Sequence, residues 1–419
     1  AKLQPLGLNT DDVIAQTAPA CFDISVWQTL TAPLFGACVE IIGDALVRDP
    51  QALLQLLRER RVSLFEPVPA LLQAMLESLD DQPLALPHLR WVLPTGEALP
   101  VATAQLWFRH YPQIPLMNAY GPAECSDDVA FQPLYQAPAQ GANVAIGRPT
   151  ANAELYVLGH DLQPVAAGVV GELAIGGIGV SRGYLGDPGR TAASFIPNPF
   201  GAPGSRLYLS GDLARWDADG VLQYLGRKDF QLKLRGFRIE PGEIEAHLER
   251  HPDVLRAMVN LQNLGGSDLL VGYWQGRSGH GLTDAQLARH VRDSLPAYMV
   301  PSLWVAMDSW PTNANGKVDR KALPLPSVQH AEVEPLVSAH EHLLGELWAA
   351  LLPEQPLGRS SHFFEAGGHS LLATRLIARI RQRCALELPL RSVFETPLLW
   401  QLAERLDALA AAPTQAVAG

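Results

Sequence analysis

Cysteine is scarce in this chain. Four occur among 419 residues, Cys21, Cys38, Cys125 and Cys384, far apart, with no C-x-x-C spacing and no histidine at ligand spacing. That argues against a structural zinc site and gives no sign of a disulfide framework. Long apolar runs are missing as well. No stretch approaches the roughly 18 consecutive apolar residues of a membrane-spanning helix, and no basic-then-apolar leader opens the sequence. Positive charge is in deficit, with a formal net charge of −11, which argues against nucleic acid as a general partner. Lysine and arginine still gather locally in "GRKDFQLKLRGFR" and "NANGKVDRK", so a local anion site stays open. The expectation is a soluble cytoplasmic protein with neither nucleic acid nor membrane as partner.

What is present is ordinary globular material, 47% hydrophobic and 18% charged, long enough for two or three domains. From residue 13 to about 228, "DVIAQTA", "VSLFEPV", "LRWVLPT" and "IPLMNAY" read as short buried strands. Between them, "DPQALLQLLRERR" and "PALLQAMLESL" read as amphipathic helices. Such interleaving predicts an α/β layer architecture with a largely parallel sheet. A Gly-rich region follows, "AELYVLGHDLQPVAAGVVGELAIGGIGVSRGYLG", more β in character. Residues 229–325 run strand, turn, helix and later strands, and residues 326–336 form a Pro-containing linker. Residues 337–412 are helical throughout and read as a small bundle of their own.

Within that bundle, "FFEAGGHSLLATRLIARI" places Ser370 at the start of an apolar helical face carrying Leu371, Leu372, Leu376, Ile377 and Ile380. Ser370 fits a helix N-cap on composition alone. A phosphodiester on its hydroxyl would also suit a helix N-terminus, with its unpaired N–H groups and partial positive charge. The segment resembles the phosphopantetheine attachment site of peptidyl carrier domains. The resemblance implies a covalent phosphopantetheine arm on Ser370, put there by a phosphopantetheinyl transferase.

Six further stretches occur in a fixed order: "FDISVWQ" (22–28), "NAYGPAE" (118–124), "GELAIGGIGVSRGYLG" (171–186), "YLSGDLARW" (208–216), "GRKDFQLKLRGFRIEPGEIE" (226–245) and "NGKVDRKALP" (315–324). Together they resemble the adenylation domain of nonribosomal peptide synthetases, in the superfamily of acyl-CoA ligases and luciferases. The resemblance implies the later part of the adenylate-forming fold in residues 1–228, with a β-rich subdomain. A mobile α+β C-terminal subdomain (229–325) and a four-helix carrier bundle would follow. ATP would be the co-substrate and Mg²⁺ a cofactor. Asn118, Tyr120, Gly121, Asp212 and Arg227 would contact ATP or AMP, and Glu124 would help hold the metal. Lys317 would supply positive charge where carboxylate meets α-phosphate, Asp229 would be the hinge, and neighbouring condensation or other synthetase domains would be partners.

The same resemblance maps a specificity pocket onto Asp23, Ile24, Trp27, Glu66, Leu93, Thr95, Ala119, Asp127, Asp128 and Lys317. Asp23 would meet the substrate's α-ammonium. Glu66, otherwise a carboxylate in a buried strand, needs a partner, because an unpaired buried charge is costly. With Asp127 and Asp128 it would favour a cationic side chain, and Trp27 would favour a short one. The expected substrate is 2,4-diaminobutyrate, with ornithine or lysine behind it. Asp127 and Asp128 also fit a solvent-facing acidic pair. The superfamily's phosphate loop, which ends in Pro-Lys-Gly, has no counterpart ahead of "FDISVW", so the polypeptide alone is expected to be inactive. A non-catalytic fragment presenting a carrier, and an acyl-CoA or aryl-acid ligase relative, are the other two expectations kept.

Overall fold

The computed structural model describes residues 2–79, 83–228, 231–234, 236–264, 267–277, 282–312, 318–326, 334–352, 356–363, 366, 368, 370–384, 386, 388–389, 392–393 and 396–411. Two compact units divide the chain at residues 238 and 239.

The first unit opens with a one-turn helix, α1 (Leu3–Leu6), and continues into strand β1 (Val13–Gln16), helix α2 (Ile24–Phe35) and strand β2 (Cys38–Ile41). Helices α3 (Asp44–Val47) and α4 (Pro50–Glu59) lead to β3 (Leu64–Phe65). Next come α5 (Pro69–Glu77), β4 (Trp91–Val92), α6 (Val101–His110) and β5 (Leu116–Tyr120). With β6 (Ala130–Leu134) and β7 (Arg148–Pro149) these strands form one sheet in the order β2-β1-β3-β4-β5-β6-β7. Pairing is parallel from β2 to β5 and antiparallel beyond it.

Consecutive strand residues point to opposite faces, and along the inner strands β1, β3, β4 and β5 both faces carry buried residues. Ile14, Leu64, Trp91 and Met117 pack on one side with Leu6 of α1 and Ala32 of α2. Ala15, Phe65, Val92 and Leu116 pack on the other against Leu53, Leu57, Leu72, Met75 and Trp107 of α4, α5 and α6. A sheet covered on both faces explains why these strands read as near-continuous apolar runs.

Two of those runs give strands shorter than the apolar stretch suggests. Pro67 and Pro94 carry no N–H and pair only through their carbonyls, which accept from the Thr95 and Ala119 N–H at 3.1 and 2.9 Å. Glu66 and Thr95 lie just past the carboxyl ends of parallel strands, where open α/β sheets place ligands. Tyr120 ends β5 on the same edge.

A second sheet completes this unit. Strands β8 (Ala153–Leu158), β9 (Gly171–Gly177), β10 (Phe195–Pro197) and β11 (Arg206–Trp216) are ordered β10-β11-β9-β8, with β12 (Leu222–Arg227) on β11. Helix α7 (Pro188–Ser194) precedes β10, and β13 (Leu232–Leu234) and β14 (Phe237–Ile239) follow.

In the second unit, α8 (Pro241–Leu248) leads to the sheet β15 (Val254–Leu264), β16 (Ser267–Gly276) and β17 (Leu303–Ala306), with α9 (Asp284–Arg292) between the last two. Helices α10 (Ala339–Ala349), α11 (Ser370–Cys384) and α12 (Leu399–Ala411) share a core of Leu344, Trp348, Phe363, Leu376, Ile380, Leu402 and Leu406. Among the described residues no helix is long and apolar enough to cross a membrane.

Candidate active site

Three carboxylates meet at the edge of the first sheet. Ligand oxygens of Glu66, Asp127 and Asp128 lie within 4.8 Å of one another. Glu66 arrives on the segment after β3. Asp127 and Asp128 arrive on the turn after β5, where Ser126 (φ 61°) and Asp127 (φ 77°) both take the left-handed conformation. Two consecutive non-glycine residues there are costly, and the surrounding structure has to impose them. Gly121 backs onto the Asp127 backbone, and the Ser126 hydroxyl donates to the Gly179 carbonyl at 2.8 Å. The strain turns the aspartates inward, so the solvent-facing alternative for this pair is not what the fold adopts. Asp128 is 7% exposed.

The cluster has a cation at its centre. Lys2 Nζ lies 2.9 Å from Glu66 Oε1, 2.6 Å from Asp127 Oδ2 and 2.8 Å from Asp128 Oδ2. It also sits 4.3 Å from the centroid of the Trp27 ring, a cation–π distance. Trp27 Nε1 donates to Glu66 Oε2, and Thr95 Oγ1 donates to Asp128 Oδ1 at 3.0 Å. Burial alone would lower the Lys2 pKa; the carboxylates of Asp128, Glu66 and Asp127 outweigh it and hold the ammonium charged. One cation does not neutralise three anions. Burial, moderated by Lys2 and reinforced by the neighbouring aspartates, raises the Glu66 carboxyl. Burial and then Asp128 raise Asp127.

Asp23 caps α2, accepting from the Ile24 N–H at 2.9 Å. Its pKa is raised, first by burial and also by the charge of Asp128, so it belongs to the same electrostatic site. Leu93 and Ala119 are buried in the apolar cluster against which Trp27 packs. Lys2 thus joins Trp27, Glu66, Asp127 and Asp128, with Thr95 bonded to Asp128, while Asp23, Leu93 and Ala119 adjoin them and Ile24 follows Asp23 at the start of α2.

A second group surrounds Tyr120. Its hydroxyl donates to Asp212 Oδ2, and Arg227 Nη1 donates to Asp212 Oδ1 at 2.8 Å. A carboxylate has about four lone-pair sites, so Asp212 keeps acceptor capacity for two further hydroxyl groups. Asn118 is 2% exposed; its Nδ2 donates to the Ala145 carbonyl at 2.8 Å, and its Oδ1 has no partner among the described residues. A buried orphan acceptor beside an aromatic ring fits an incoming amine donor. Lys233 Nζ lies 5.7 Å from the Tyr120 ring centroid, its pKa lowered chiefly by burial.

Glu124 is differently placed. Both its oxygens accept from Arg238 Nη1, at 2.9 and 3.0 Å, and Oε1 accepts from Tyr184 at 2.7 Å. Burial alone would raise its pKa; Arg238 and then Tyr184 outweigh that and lower it. A Mg²⁺ at Glu124 would have to displace a guanidinium, so these residues as arranged do not fit the expected metal role, and no step is routed through it.

Comparison with known proteins decides the family. Residues 2–185 match the AMP-binding enzyme family, and residues 342–406 match the phosphopantetheine attachment site. The chain is 41% identical over 404 residues to phosphinothricin tripeptide synthetase PhsC of Streptomyces viridochromogenes, covering 95% of this chain and 36% of that one. It is 39% identical over 393 residues to a dimodular nonribosomal peptide synthase of Bacillus subtilis, covering 92% and 16%. The chain belongs to the adenylate-forming enzymes and carries a phosphopantetheine carrier domain. It superposes on holo-PA1221, an NRPS protein containing adenylation and PCP domains bound to a vinylsulfonamide inhibitor. The TM-score is 0.79 at 27% identity, covering 96% of this chain and 66% of that one.

In the carrier domain, α11 begins at Ser370, whose side chain lies outside the described residues. Gly368 has a packing role that the sequence did not show. A Cβ there would come 2.4 Å from the Phe363 carbonyl oxygen and 2.5 Å from its ring, so the second glycine of the approach is needed by the core rather than left open for the arm. Lys317 and Asp229 lie outside the described residues.

Four residues of the first unit have no place among the site residues named from sequence. Lys233 and Arg238 lie in "LKLRGFR", where the basic cluster was a signal. Tyr184 lies in the quoted stretch "GELAIGGIGVSRGYLG", and Lys2 gave no signal. Lys2 precedes the first strand in a stretch with neither motif nor periodicity, and only folding brings it 64 residues along the chain to Glu66.

Proposed function

We propose that these two domains form part of a nonribosomal peptide synthetase module that activates an amino acid with a short cationic side chain. In the first half-reaction the substrate carboxylate attacks the α-phosphate of ATP, forming the aminoacyl adenylate and releasing pyrophosphate. The aminoacyl group then passes to the carrier domain, releasing AMP. A phosphopantetheine arm on Ser370 would supply the thiol that becomes the thioester.

The observation that carries the substrate class is the seating of an ammonium among Glu66, Asp127 and Asp128 over the Trp27 ring. Opposite charges about 4 Å apart gain on the order of 4 kcal/mol at an effective dielectric of 20. The Trp27 indole shortens the space, which favours 2,4-diaminobutyrate over ornithine and lysine. Asp23 would hold the α-ammonium, a group that an aryl-acid ligase has no use for. Asn118 and Tyr120 would take the adenine, and Asp212 with Arg227 the ribose. Lys317 would place positive charge where carboxylate and α-phosphate meet, and Asp229 would be the hinge between residues 1–228 and 229–325. The carrier would span 337–412 after a linker at 326–336. A phosphopantetheinyl transferase and neighbouring condensation domains would be its partners.

ATP–pyrophosphate exchange on the full synthetase, run with a panel of amino acids, tests this. Diaminobutyrate, ornithine or lysine should exchange well ahead of leucine and phenylalanine. A clear preference for an apolar amino acid would overturn the substrate class, and no exchange with any amino acid would overturn the activity.

A further inference from the structure

Lys2 fills the point where the pocket's charge converges. Glu66 Oε1, Asp127 Oδ2 and Asp128 Oδ2 all face a single nitrogen at 2.6–2.9 Å. The other oxygens of Glu66 and Asp128 are held by Trp27 and Thr95. One position therefore meets all three carboxylates and the indole face together, and an ammonium already stands in it.

We infer that Lys2 is a specificity-determining residue of this pocket: its ε-ammonium holds the place of the substrate's side-chain ammonium, and a cationic amino acid binds by exchange with it. The inference rests on the cationic-substrate reading and adds to it a gate. Exchange of one ammonium for another conserves charge. A neutral side chain entering the same space would evict Lys2 and leave the three carboxylates, two of them buried, without a cation, which is strongly unfavourable. Lys2 thus rejects neutral amino acids, and it lowers the affinity for cationic ones, since the binding-competent fraction is the fraction with Lys2 withdrawn.

The local structure suits withdrawal. Lys2 immediately precedes a one-turn helix, tied by the Leu6 N–H to the Lys2 carbonyl at 3.3 Å and anchored by the buried Leu6 side chain. So short a helix is marginal by itself. The flexible four-carbon stem of lysine lets the charge leave while Leu6 stays packed.

The test uses the 419-residue chain carrying ¹³Cε-labelled lysine, titrated with 2,4-diaminobutyrate and, separately, with leucine. In the free chain the Lys2 methylene resonance should be displaced by the Trp27 ring current; it is identified by its loss in Lys2→Met. Diaminobutyrate should return that resonance to the ordinary lysine position, and leucine should not. Lys2→Met should bind diaminobutyrate about tenfold or more tightly than wild type, the factor expected if Lys2 occupies the site at least nine-tenths of the time. Lys2→Arg, which keeps a cation, should show no such gain. Lys2→Arg also lacks that resonance, so the assignment and the wild-type titration stand if Lys2→Met fails to fold. Diaminobutyrate binding with the Lys2 resonance unmoved, or Lys2→Met binding no tighter, would make Lys2 a fixed counter-ion and overturn the inference while leaving the substrate class intact. Leucine binding without any binding of diaminobutyrate would overturn both.

Discussion

Gly121 stands so close to Asp127 that a Cβ on it would fall 1.8 Å from the Asp127 carbonyl oxygen and 2.6 Å from the Asp128 Cα. The glycine of "NAYGPAE" therefore shapes the acidic side of the pocket whatever it does for nucleotide. Gly121→Ala has to push the turn outward, because backbone rather than a flexible side chain is in the way. A loss of about 1–3 kcal/mol in stability is expected, in line with other overpacked sites, together with loss of diaminobutyrate binding. Thermal unfolding and calorimetry on the variant check both; a variant as stable as wild type would mean the turn gives way easily.

The carboxylate cluster makes stability depend on pH. Burial and repulsion push Glu66 up to about 8 and Asp127 up to about 7. A carboxyl with a raised folded-state pKa binds its proton more tightly in the folded chain. The stability it contributes is complete below the unfolded pKa, near 4, and is lost as pH rises through the folded value. The unfolding midpoint should therefore fall between about pH 5 and pH 8.5. Glu66→Gln, which keeps one acceptor oxygen, for Lys2 or Trp27 but not for both, and does not titrate, should flatten that fall. An equally steep fall in the variant would place the titrating group elsewhere.

Attachment of the arm should depend on one hydroxyl. Incubated with a phosphopantetheinyl transferase and coenzyme A, the wild-type chain should gain one phosphopantetheine by intact mass, and Ser370→Ala none. Modification of the variant at equal yield would remove Ser370 from that role.

Lys317 should matter to one half-reaction more than the other. In the full synthetase, Lys317→Ala should slow adenylate formation by about 10²-fold or more, the usual effect of removing a group that stabilises developing negative charge. Transfer from a pre-formed adenylate to the carrier should be affected much less. Equal losses in both steps would point to a structural role.

Much of the fold was legible because its inner strands are buried on both faces, and a continuous apolar run such as "LRWVLPT" shows this directly. The same property hid the strand ends. The acidic residues of the pocket were nameable through resemblance alone. Local pattern left Asp127 and Asp128 equally suited to solvent, and the two left-handed residues that turn them inward have no clear sequence mark beyond an aspartate's tolerance of that conformation. Lys2 was invisible for a different reason: an ion pair across 64 residues leaves no periodic trace.

The pairing of β3 with β4 and of β4 with β5 is in register over only one or two residues each, Leu64 with Trp91, Phe65 with Val92, and Val92 with Leu116. Beyond the paired row of Phe65, Val92 and Leu116, Glu66, Thr95 and Tyr120 follow one, three and four residues further along the chain. The apolar contacts of these strands come from Leu64, Phe65, Trp91, Val92, Leu116 and Met117. Glu66 and Thr95 thus lie beyond the residues that build the sheet's core, so a change at either position leaves the apolar contacts of β3 and β4 in place.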